Sequence, residues 1–168
     1  EETYEVMERA RSKYGITIKT YFPNKEDVEN LHNKKGFFSF RESVENRKEC
    51  CSIRKVEPLN RALSNLDAWI TGLRREQGVT RVDVQKVFAG DDHNSIIKIN
   101  PLADWSLNMV EEYIKANDVP INALHKKNYP SIGCAPCTRS IETGEDIRSG
   151  RWWWENPEHK ECGLHPRP

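Results

Sequence analysis

The chain has 168 residues, of which 36% are hydrophobic and 31% are charged, which is enough material for one domain and not obviously for two. Its 26 basic and 26 acidic side chains cancel, so no overall charge attracts the chain to nucleic acid or to an anionic membrane. No apolar run approaches the length of a membrane span. An anionic ligand must therefore be bound by a local cluster of basic side chains.

The first third of the chain is predicted to contain two helices with a strand between them. Apolar residues recur at helical spacing over residues 4–14, and Gly15 follows where a C-terminal cap is expected. Alternating apolar residues predict a strand over residues 16–22. The polar stretch 25–35 predicts a second, mostly exposed helix that ends at Gly36.

The middle of the chain alternates further helices and strands. An apolar stripe over residues 53–63 predicts a helix, which Pro58 either kinks or restarts. Residues 68–70 form a short apolar run ended by Thr71 and Gly72, as in a buried strand that opens into a loop. The same periodicities predict two more strands, over residues 82–87 and 96–99, and an amphipathic helix from Leu107 that ends before Pro120. This alternation is typical of an α/β or mixed domain.

The cysteines are the most informative residues in the chain. Cys134 and Cys137 form a Cys-x-x-Cys, which places two thiolates on one tight turn where they can reach the same soft metal centre. The adjacent pair Cys50 and Cys51 completes a set of four sulfur ligands. Because neighbouring side chains point in different directions, the adjacent pair suits two irons of a 4Fe-4S cluster better than one tetrahedral zinc. We therefore favour a 4Fe-4S cluster.

Other interpretations of the cysteines stay open. The same four residues could form a structural zinc site, and Cys50 or Cys51 alone could be a buried, unreactive thiol. Two disulfides with one spare thiol are disfavoured, because no apolar signal segment is present and a chain of this length needs no disulfide staples. Reduced, metal-binding thiols imply a reducing compartment such as the cytoplasm.

A basic loop follows the predicted strand 68–70. It carries Arg74, Arg75 and Arg81. Ligands of open α/β sheets lie in loops at the carboxyl ends of strands, so these arginines suggest a phosphate or sulfate group nearby. A solvated basic turn explains the same residues equally well.

The last third of the chain combines aromatic residues with a fifth cysteine. The three tryptophans at 152–154 cannot all face one core, and one or two of them could instead stack on a ligand base. Cys162 lies beside Gly163 and three residues before His165. A basic neighbour lowers the pKa of a thiol and keeps it nucleophilic, so Cys162 is a candidate nucleophile. A lone cysteine near a terminus is more often simply exposed, and we assign no catalytic role to His165.

Several short motifs, in order along almost the whole chain, resemble those of assimilatory adenylyl-sulfate (APS) reductases. The motifs are Glu49-Cys50-Cys51 with Arg54-Lys55, Trp69-Ile70-Thr71-Gly72, and the segments 132–139, 150–154 and 160–165. The cysteine pairs set this branch apart from the related phosphoadenylyl-sulfate (PAPS) reductases, which lack the cluster.

The resemblance implies a fold as well as a family. The expected fold is α/β, with an adenine nucleotide alpha hydrolase-like (Rossmann-like) sheet flanked by helices. Residues 1–168 would form one reductase domain, with a mobile C-terminal tail, 155–168, that carries the catalytic cysteine. Members of the family begin with a strand and a Ser-Gly-rich phosphate-binding loop, which this sequence does not contain, so we expect the N-terminal strands to be missing. The plant enzymes' C-terminal thioredoxin-like domain is also lacking, which favours the bacterial type with a separate thioredoxin.

The resemblance also implies roles for individual residues. Four cysteines would bind the 4Fe-4S cluster, whose role would be structural and electrostatic: Cys50, Cys51, Cys134 and Cys137. Five residues would bind the substrate adenylyl sulfate: Lys55, between cluster and substrate, and Gly72, Arg81, Arg148 and Arg151, around the nucleotide and its phosphosulfate. Cys162 would attack the sulfate sulfur and form a thiosulfonate, which thioredoxin or glutaredoxin would cleave to release sulfite.

Three questions stay open at this point. PAPS is the alternative substrate within the enzyme class, since the residues that would read its extra phosphate belong to the part of the fold that we expect to be missing. A non-catalytic, metal-stapled binding module is the alternative outside it. The sequence also leaves the choice between a monomer and a homo-oligomer open.

Overall fold

The computed structural model describes residues 1–90 and 96–165, which form two compact units. The first unit comprises residues 1–19, 74–83 and 104–153, and the described residues of the second are 20–73, 84–90, 96–103 and 154–165. The last three residues of the expected tail, 166–168, lie outside the described residues. The expectation of one domain with a mobile tail over 155–168 stays a prediction.

Helices and short strands alternate along the described residues. In chain order the α-helices are α1 (Glu2–Tyr14), α2 (Lys25–Lys35), α3 (Val44–Cys51), α4 (Glu57–Leu63) and α5 (Leu107–Asn117). The strands are β1 (Ala68–Ile70), β2 (Val87–Phe88) and β3 (Ile97–Ile99). The α/β class expected from the sequence is confirmed. Among the described residues, no helix is both long enough and apolar enough to cross a membrane.

The helix termini form where the sequence places capping residues. Gly15 ends α1 in the left-handed conformation, with φ 62°, which a glycine adopts without steric cost. Asn24 begins α2, where its side-chain oxygen accepts hydrogen bonds from the backbone N–H groups of Glu26 and Asp27. Ser106 caps α5 in the same way by accepting from the N–H of Met109. The predicted bounds of these three helices are therefore close to the observed ones.

In the first unit, basic side chains of α1 bind carbonyl groups at the C-terminal end of α5 and in the segment just after it. Lys13 Nζ donates a hydrogen bond of 2.8 Å to the carbonyl oxygen of Asn117, and Arg9 Nη2 donates one of 2.5 Å to that of Ile121. The carbonyls at a helix C-terminus lack partners within the helix and carry partial negative charge. Cations from α1 therefore satisfy groups that would otherwise need water.

The sheet lies in the second unit and is mixed. Its strand order is β1-β3-β2, with β1 parallel and β2 antiparallel to the central strand β3. Trp69 is opposite Lys98 in the β1–β3 register. The strands predicted at 68–70 and 96–99 are confirmed, whereas the one predicted at 82–87 is limited to Val87–Phe88. Ile70 is 71% exposed, so β1 is not buried on both faces as the apolar run suggested.

The strand predicted over residues 16–22 is wrong. This stretch has no regular secondary structure, and Phe22 near its end is 70% exposed. Alternating apolar residues form a strand only when another strand hydrogen-bonds to them. The strands among the described residues pair with one another instead.

The segment that carries the first cysteine pair is a helix with a local widening. Helix α3 continues directly into a π-helical turn, Ser52–Val56, and then into α4. In the π turn the N–H of Glu57 bonds to the carbonyl of Ser52, five residues earlier. Pro58 lies in the first turn of α4, where a missing N–H is tolerated. The sequence analysis left open whether Pro58 kinks this helix or starts a second one, and the structure shows α4 beginning at Glu57, directly after the π turn.

Candidate active site at the cysteine helix and the C-terminal segment

Cys50 and Cys51 lie at the C-terminal end of α3. Cys51 is 6% exposed and Cys50 is half-buried, and all five cysteines of the chain are free thiols. Ser43 caps the start of this helix, since its Oγ accepts a hydrogen bond of 3.1 Å from the N–H of Asn46. The cap stabilises the start of the helix that carries both thiols.

Three groups of the second unit act electrostatically on the Cys51 thiol, besides its neighbour Cys50. Burial raises the pKa of Cys51, because an ionised thiolate is poorly solvated inside the protein. The positive charges of Lys55 and Arg47 oppose this rise, whereas negative charge on Cys162 adds to it. Lys55 lies in the π turn that continues this helix, and Arg47 of the helix donates a hydrogen bond to the carbonyl of Glu161, next to Cys162. The roles of Lys55 as cation and of Cys162 as nucleophile stay predictions.

Arg47 connects the cysteine helix to the segment that precedes Cys162. It is completely buried, and its guanidinium donates two hydrogen bonds to Glu155, of 2.9 and 2.8 Å. The same guanidinium donates to the backbone carbonyls of His159, at 2.6 Å, and of Glu161. We refer to Arg47, Glu155 and these two carbonyls as the Arg47 cluster.

The residues that follow Cys162 pack against the sheet and the π turn. The His165 ring stacks on Trp69 of β1, with 5.4 Å between ring centroids and 18° between ring planes. Lys98 Nζ lies 5.2 Å from the centroid of the same tryptophan ring. Gly163 adopts a left-handed conformation with φ 83°, close to Val56. Cys162 is half-buried between these contacts and the Arg47 cluster.

Thr71 and Gly72 follow β1, as predicted, and differ sharply in environment. The buried Thr71 hydroxyl donates a hydrogen bond to Asn100 Oδ1, and Asn100 Nδ2 donates to the Gln85 carbonyl at 2.7 Å. Gly72 is exposed, and a Cβ added to it would meet no atom within 4 Å. The protein's own packing therefore does not require a glycine at position 72.

Cys134 and Cys137 lie in the first unit, on a single turn of 3-10 helix, Ala135–Cys137. The N–H of Cys137 donates to the Cys134 carbonyl at 2.9 Å, and the Thr138 hydroxyl donates to the same carbonyl at 2.9 Å. Cys137 is 8% exposed and Cys134 is half-buried. The turn is the tight one that the Cys-x-x-Cys spacing predicts.

The first unit brings Arg81 and Arg148 to one short stretch, Gln77–Gly78. The Arg81 guanidinium donates to Gln77 Oε1, and the Arg81 N–H donates to the Gly78 carbonyl at 2.9 Å. A Cβ added to Gly78 would lie 2.9 Å from Arg148 Cδ, so only a glycine lets the Arg148 side chain lie there. Two of the predicted substrate-binding arginines are therefore grouped.

Arg151 has a different environment from the other predicted arginines. It is 7% exposed, donates a hydrogen bond of 3.0 Å to the Ile132 carbonyl and lies 4.5 Å from the Trp152 ring centroid. Its guanidinium fills the space where a side chain at Gly133 would be. These contacts stabilise the turn that carries Cys134, and a contact of Arg151 with substrate stays a prediction.

In the described part of the chain, no three or more His, Cys, Asp or Glu side chains form a group that could hold a metal ion. Each unit instead presents two free thiols on one turn, Cys50 with Cys51 and Cys134 with Cys137. Free thiols in pairs are the donor type that thiolate-bound clusters use, so the residues present suit the predicted cofactor chemically. The 4Fe-4S cluster stays a prediction.

The chain also matches known proteins. A family model described as "Phosphoadenosine phosphosulfate reductase domain" matches residues 1–140. The chain belongs to this family. Proteins named adenosine 5'-phosphosulfate reductase are similar over nearly all of it: that of Burkholderia cepacia is 53% identical over 98% of the chain, and that of Allochromatium vinosum is 51% identical over 99%. The chain spans 65% and 64% of the length of these two relatives.

Two further family members extend the comparison. The adenosine 5'-phosphosulfate reductase of Rhizobium tropici is 48% identical over 98% of the chain and 91% of its own length. The crystal structure of a phosphoadenylyl-sulfate reductase from Candida auris, in a phosphate complex, superposes with a TM-score of 0.64 at 31% identity. That match covers 83% of this chain and 65% of the other. The family resemblance and the fold class expected from the sequence are both confirmed.

The sequence analysis missed Arg47 and Glu155, which the structure brings together. The two residues are 108 positions apart, so no local pattern relates them. One signal was available: Arg47 precedes Cys51 by four residues, which places both on one face of a helix. Asn100, which follows the strand paired with β1, was missed for the same reason.

Proposed function

We propose that this chain carries the catalytic chemistry of an assimilatory APS reductase, an oxidoreductase that converts adenylyl sulfate to sulfite and AMP. The observation that carries the proposal is that Cys162 lies near the cysteine helix and its π turn, since Arg47 of that helix donates a hydrogen bond to the carbonyl of Glu161 and Gly163 lies close to Val56. The proposal is also supported by sequence identity of about 50% to relatives named adenosine 5'-phosphosulfate reductase.

The proposed reaction has two steps. The Cys162 thiolate attacks the sulfur of the sulfate group, so that a sulfur–sulfur bond forms while the bond from sulfur to the AMP oxygen breaks and AMP leaves with that electron pair. A thiolate of reduced thioredoxin or glutaredoxin then attacks Cys162 Sγ and expels sulfite. The partner's second thiol resolves the mixed disulfide. The sulfate sulfur gains two electrons, and the partner's dithiol becomes a disulfide.

Basic side chains make the first step feasible. A thiolate and a sulfate group repel each other unless cations neutralise the charge that they bring together. In the second unit Lys55 supplies such a cation beside the cysteine helix. In the first unit we assign the same task to Arg81 and Arg148, grouped at Gln77–Gly78, and to Arg151. Planar guanidinium groups suit phosphate and sulfate oxygens because they donate paired hydrogen bonds.

Gly72 is proposed to bind the nucleotide through its backbone. No protein atom would contact a Cβ at this position, so the neighbouring structure gives no reason for the missing side chain. A ligand lying against the main chain would give one, because close approach to the backbone requires glycine.

We propose that Cys50, Cys51, Cys134 and Cys137 hold a 4Fe-4S cluster. Such a cluster would supply a rigid thiolate-bound anchor and a concentration of charge next to the substrate site, with no electron passing from it to substrate. The protein's visible spectrum and its iron, sulfide and zinc contents after oxygen-free purification test this assignment. Brown colour with iron and sulfide in equal amounts supports it, and a colourless protein that contains zinc overturns it.

Trapping the covalent intermediate tests the proposed reaction. The full chain is incubated with APS in the absence of oxygen and of thioredoxin, and its intact mass is then measured. We expect one sulfonate group to be added, to be located on Cys162 by peptide mapping, and to be lost when reduced thioredoxin is added. Cys162→Ser is the matched variant, since it keeps the size of the side chain. Accumulation of the adduct in Cys162→Ser, or its absence from the unmodified chain, contradicts the mechanism.

Two alternatives have distinct outcomes. PAPS as the preferred substrate is favoured by the similarity to the Candida auris structure, which is described as a PAPS reductase. Comparison of kcat/KM for APS and PAPS in one preparation decides between the two substrates. A non-catalytic module that binds metal would leave Cys162 with the alkylation rate of a small model thiol.

The reducing chemistry and the free thiols are consistent with action in the cytoplasm.

A further inference from the structure

Burial of an arginine requires compensation, and Arg47 receives it from a distant part of the chain. The Arg47 side chain is 0% exposed and that of Glu155 is 4% exposed. A buried charge is strongly destabilising unless it is paired and its hydrogen-bonding groups are satisfied. Glu155 supplies the opposite charge, and the carbonyls of His159 and Glu161 accept further guanidinium N–H groups. All four of these hydrogen bonds connect Arg47 to the segment that leads to Cys162.

The bond to Glu161 acts directly on the position of Cys162. The carbonyl of Glu161 and the N–H and Cα of Cys162 belong to one planar peptide unit. An arginine that fixes the direction of this carbonyl therefore fixes the point from which the Cys162 side chain leaves the backbone. Arg47 is itself held on α3, one helical turn before Cys51.

We propose that Arg47 is a positioning residue for the nucleophile, and that the Arg47 cluster holds the segment 155–162 in the orientation that presents Cys162 beside the cysteine helix. Glu155 is part of the device, because it neutralises Arg47 and orients its guanidinium through two parallel hydrogen bonds. On the other side of Cys162, the stack of His165 on Trp69 gives the segment a second point of attachment. The consequence for catalysis rests on the proposed function, whereas the consequence for the order of the segment does not.

Amide hydrogen exchange measures the order of the segment without any turnover. Arg47→Lys keeps the positive charge but cannot donate to a carboxylate and two carbonyls in one plane. Glu155→Gln keeps the shape but removes the negative charge. In the full chain, purified without oxygen, we expect both variants to exchange the amides of residues 156–165 about tenfold faster or more, as expected for the loss of one or two charge-assisted hydrogen bonds. Amides of α5 serve as the internal reference.

The matched control is Arg61→Lys. Arg61 also pairs with a glutamate, Glu57, and also donates to a backbone carbonyl, that of Phe22, but it has no bond to the Cys162 segment. We expect exchange of residues 156–165 to be unchanged in this variant. Unchanged exchange in both Arg47→Lys and Glu155→Gln, or equal acceleration in Arg61→Lys, overturns the proposal.

Single-turnover kinetics test the catalytic consequence. We expect the rate at which bound APS sulfonates Cys162 to fall about tenfold or more in Arg47→Lys, with the dissociation constant of APS unchanged, because the nucleophile rather than the substrate is displaced. A normal rate with accelerated exchange overturns the positioning role. If the unmodified chain forms no adduct at all, the proposed function fails, and the exchange data alone then decide whether Arg47 orders the segment.

Discussion

Replacing Thr71 with valine and Asn100 with alanine, singly and together, tests how the ends of β1 and β3 are joined. The Thr71 hydroxyl donates to Asn100 Oδ1 and accepts from the N–H of Leu73, and Asn100 Nδ2 donates to the carbonyl of Gln85. Thr71 is 8% exposed and Asn100 is 2% exposed, so water cannot replace these bonds without rearrangement. The residue that follows Thr71 is the proposed nucleotide-binding Gly72.

The magnitudes follow from counting hydrogen bonds. Each single substitution removes two of the three bonds, and a buried bond contributes about 1 kcal/mol net, so each should lower the free energy of unfolding by about 2 kcal/mol. The bond between Thr71 and Asn100 is counted in both single variants. The double variant should therefore be destabilised by about 3 kcal/mol, which leaves a coupling energy of about 1 kcal/mol.

Urea unfolding of the four proteins, followed by far-ultraviolet circular dichroism, gives the coupling energy directly. The reasoning is refuted if the two single effects add without a coupling term, or if each is below about 0.5 kcal/mol, the range of surface substitutions. Asn100→Asp is a useful further variant. It keeps the acceptor for Thr71 but places a carboxylate against the Gln85 carbonyl, so its stability should increase when acid neutralises that carboxylate.

The glycines and a helix cap give three further tests. Gly72→Ala should leave the free energy of unfolding within about 0.5 kcal/mol of the original, because the added methyl group meets no protein atom. It should weaken APS binding about tenfold, measured by calorimetry, because the methyl group would meet the nucleotide proposed to lie there. Gly133→Ala should instead lower the free energy of unfolding by about 1–3 kcal/mol, measured by urea unfolding, because its Cβ would overlap the guanidinium of Arg151. Equal stability of the two alanine variants would contradict both expectations. Asn24→Ala should cost about 1 kcal/mol through loss of its two cap bonds, and Asn24→Ser should restore most of it.

Local chemistry explains which parts of the fold could be predicted. The helices α1 and α2 end at glycines, and α2 and α5 begin at residues whose side chains cap them, so their bounds follow from neighbours in sequence. The tight turn at Cys134 also depends on nearby residues only, whereas helix α3, which ends at the cysteine pair, was not predicted. These features need no knowledge of distant contacts.

Contacts between distant residues explain what could not be predicted. The stretch 16–22 has the alternation of a strand, but its secondary structure depends on whether a partner strand lies beside it. A charged residue such as Arg47 on a polar helix is expected to be exposed to solvent. Its contacts with Glu155 and two distant carbonyls make its burial favourable. The three tryptophans at 152–154 were predicted not to face one core together. The exposed fractions of two of them agree with this, since Trp152 is 1% exposed and Trp153 is 39% exposed.

Because of the π turn Ser52–Val56, the geometry of the cysteine motif depends on the number of residues between Cys51 and α4 as well as on their types. A π turn holds one residue more than the α-helical turn that it replaces, so it is equivalent to a single-residue insertion between the cysteine pair and α4. Deleting one residue there would restore a regular helix and leave α4 close to its present orientation relative to Cys51, because the turn would lose only its extra residue. A one-codon deletion between Cys51 and Arg54 would thus move Arg54 and Lys55 one position closer to Cys51 and change the direction of both side chains, while α4 stays in place.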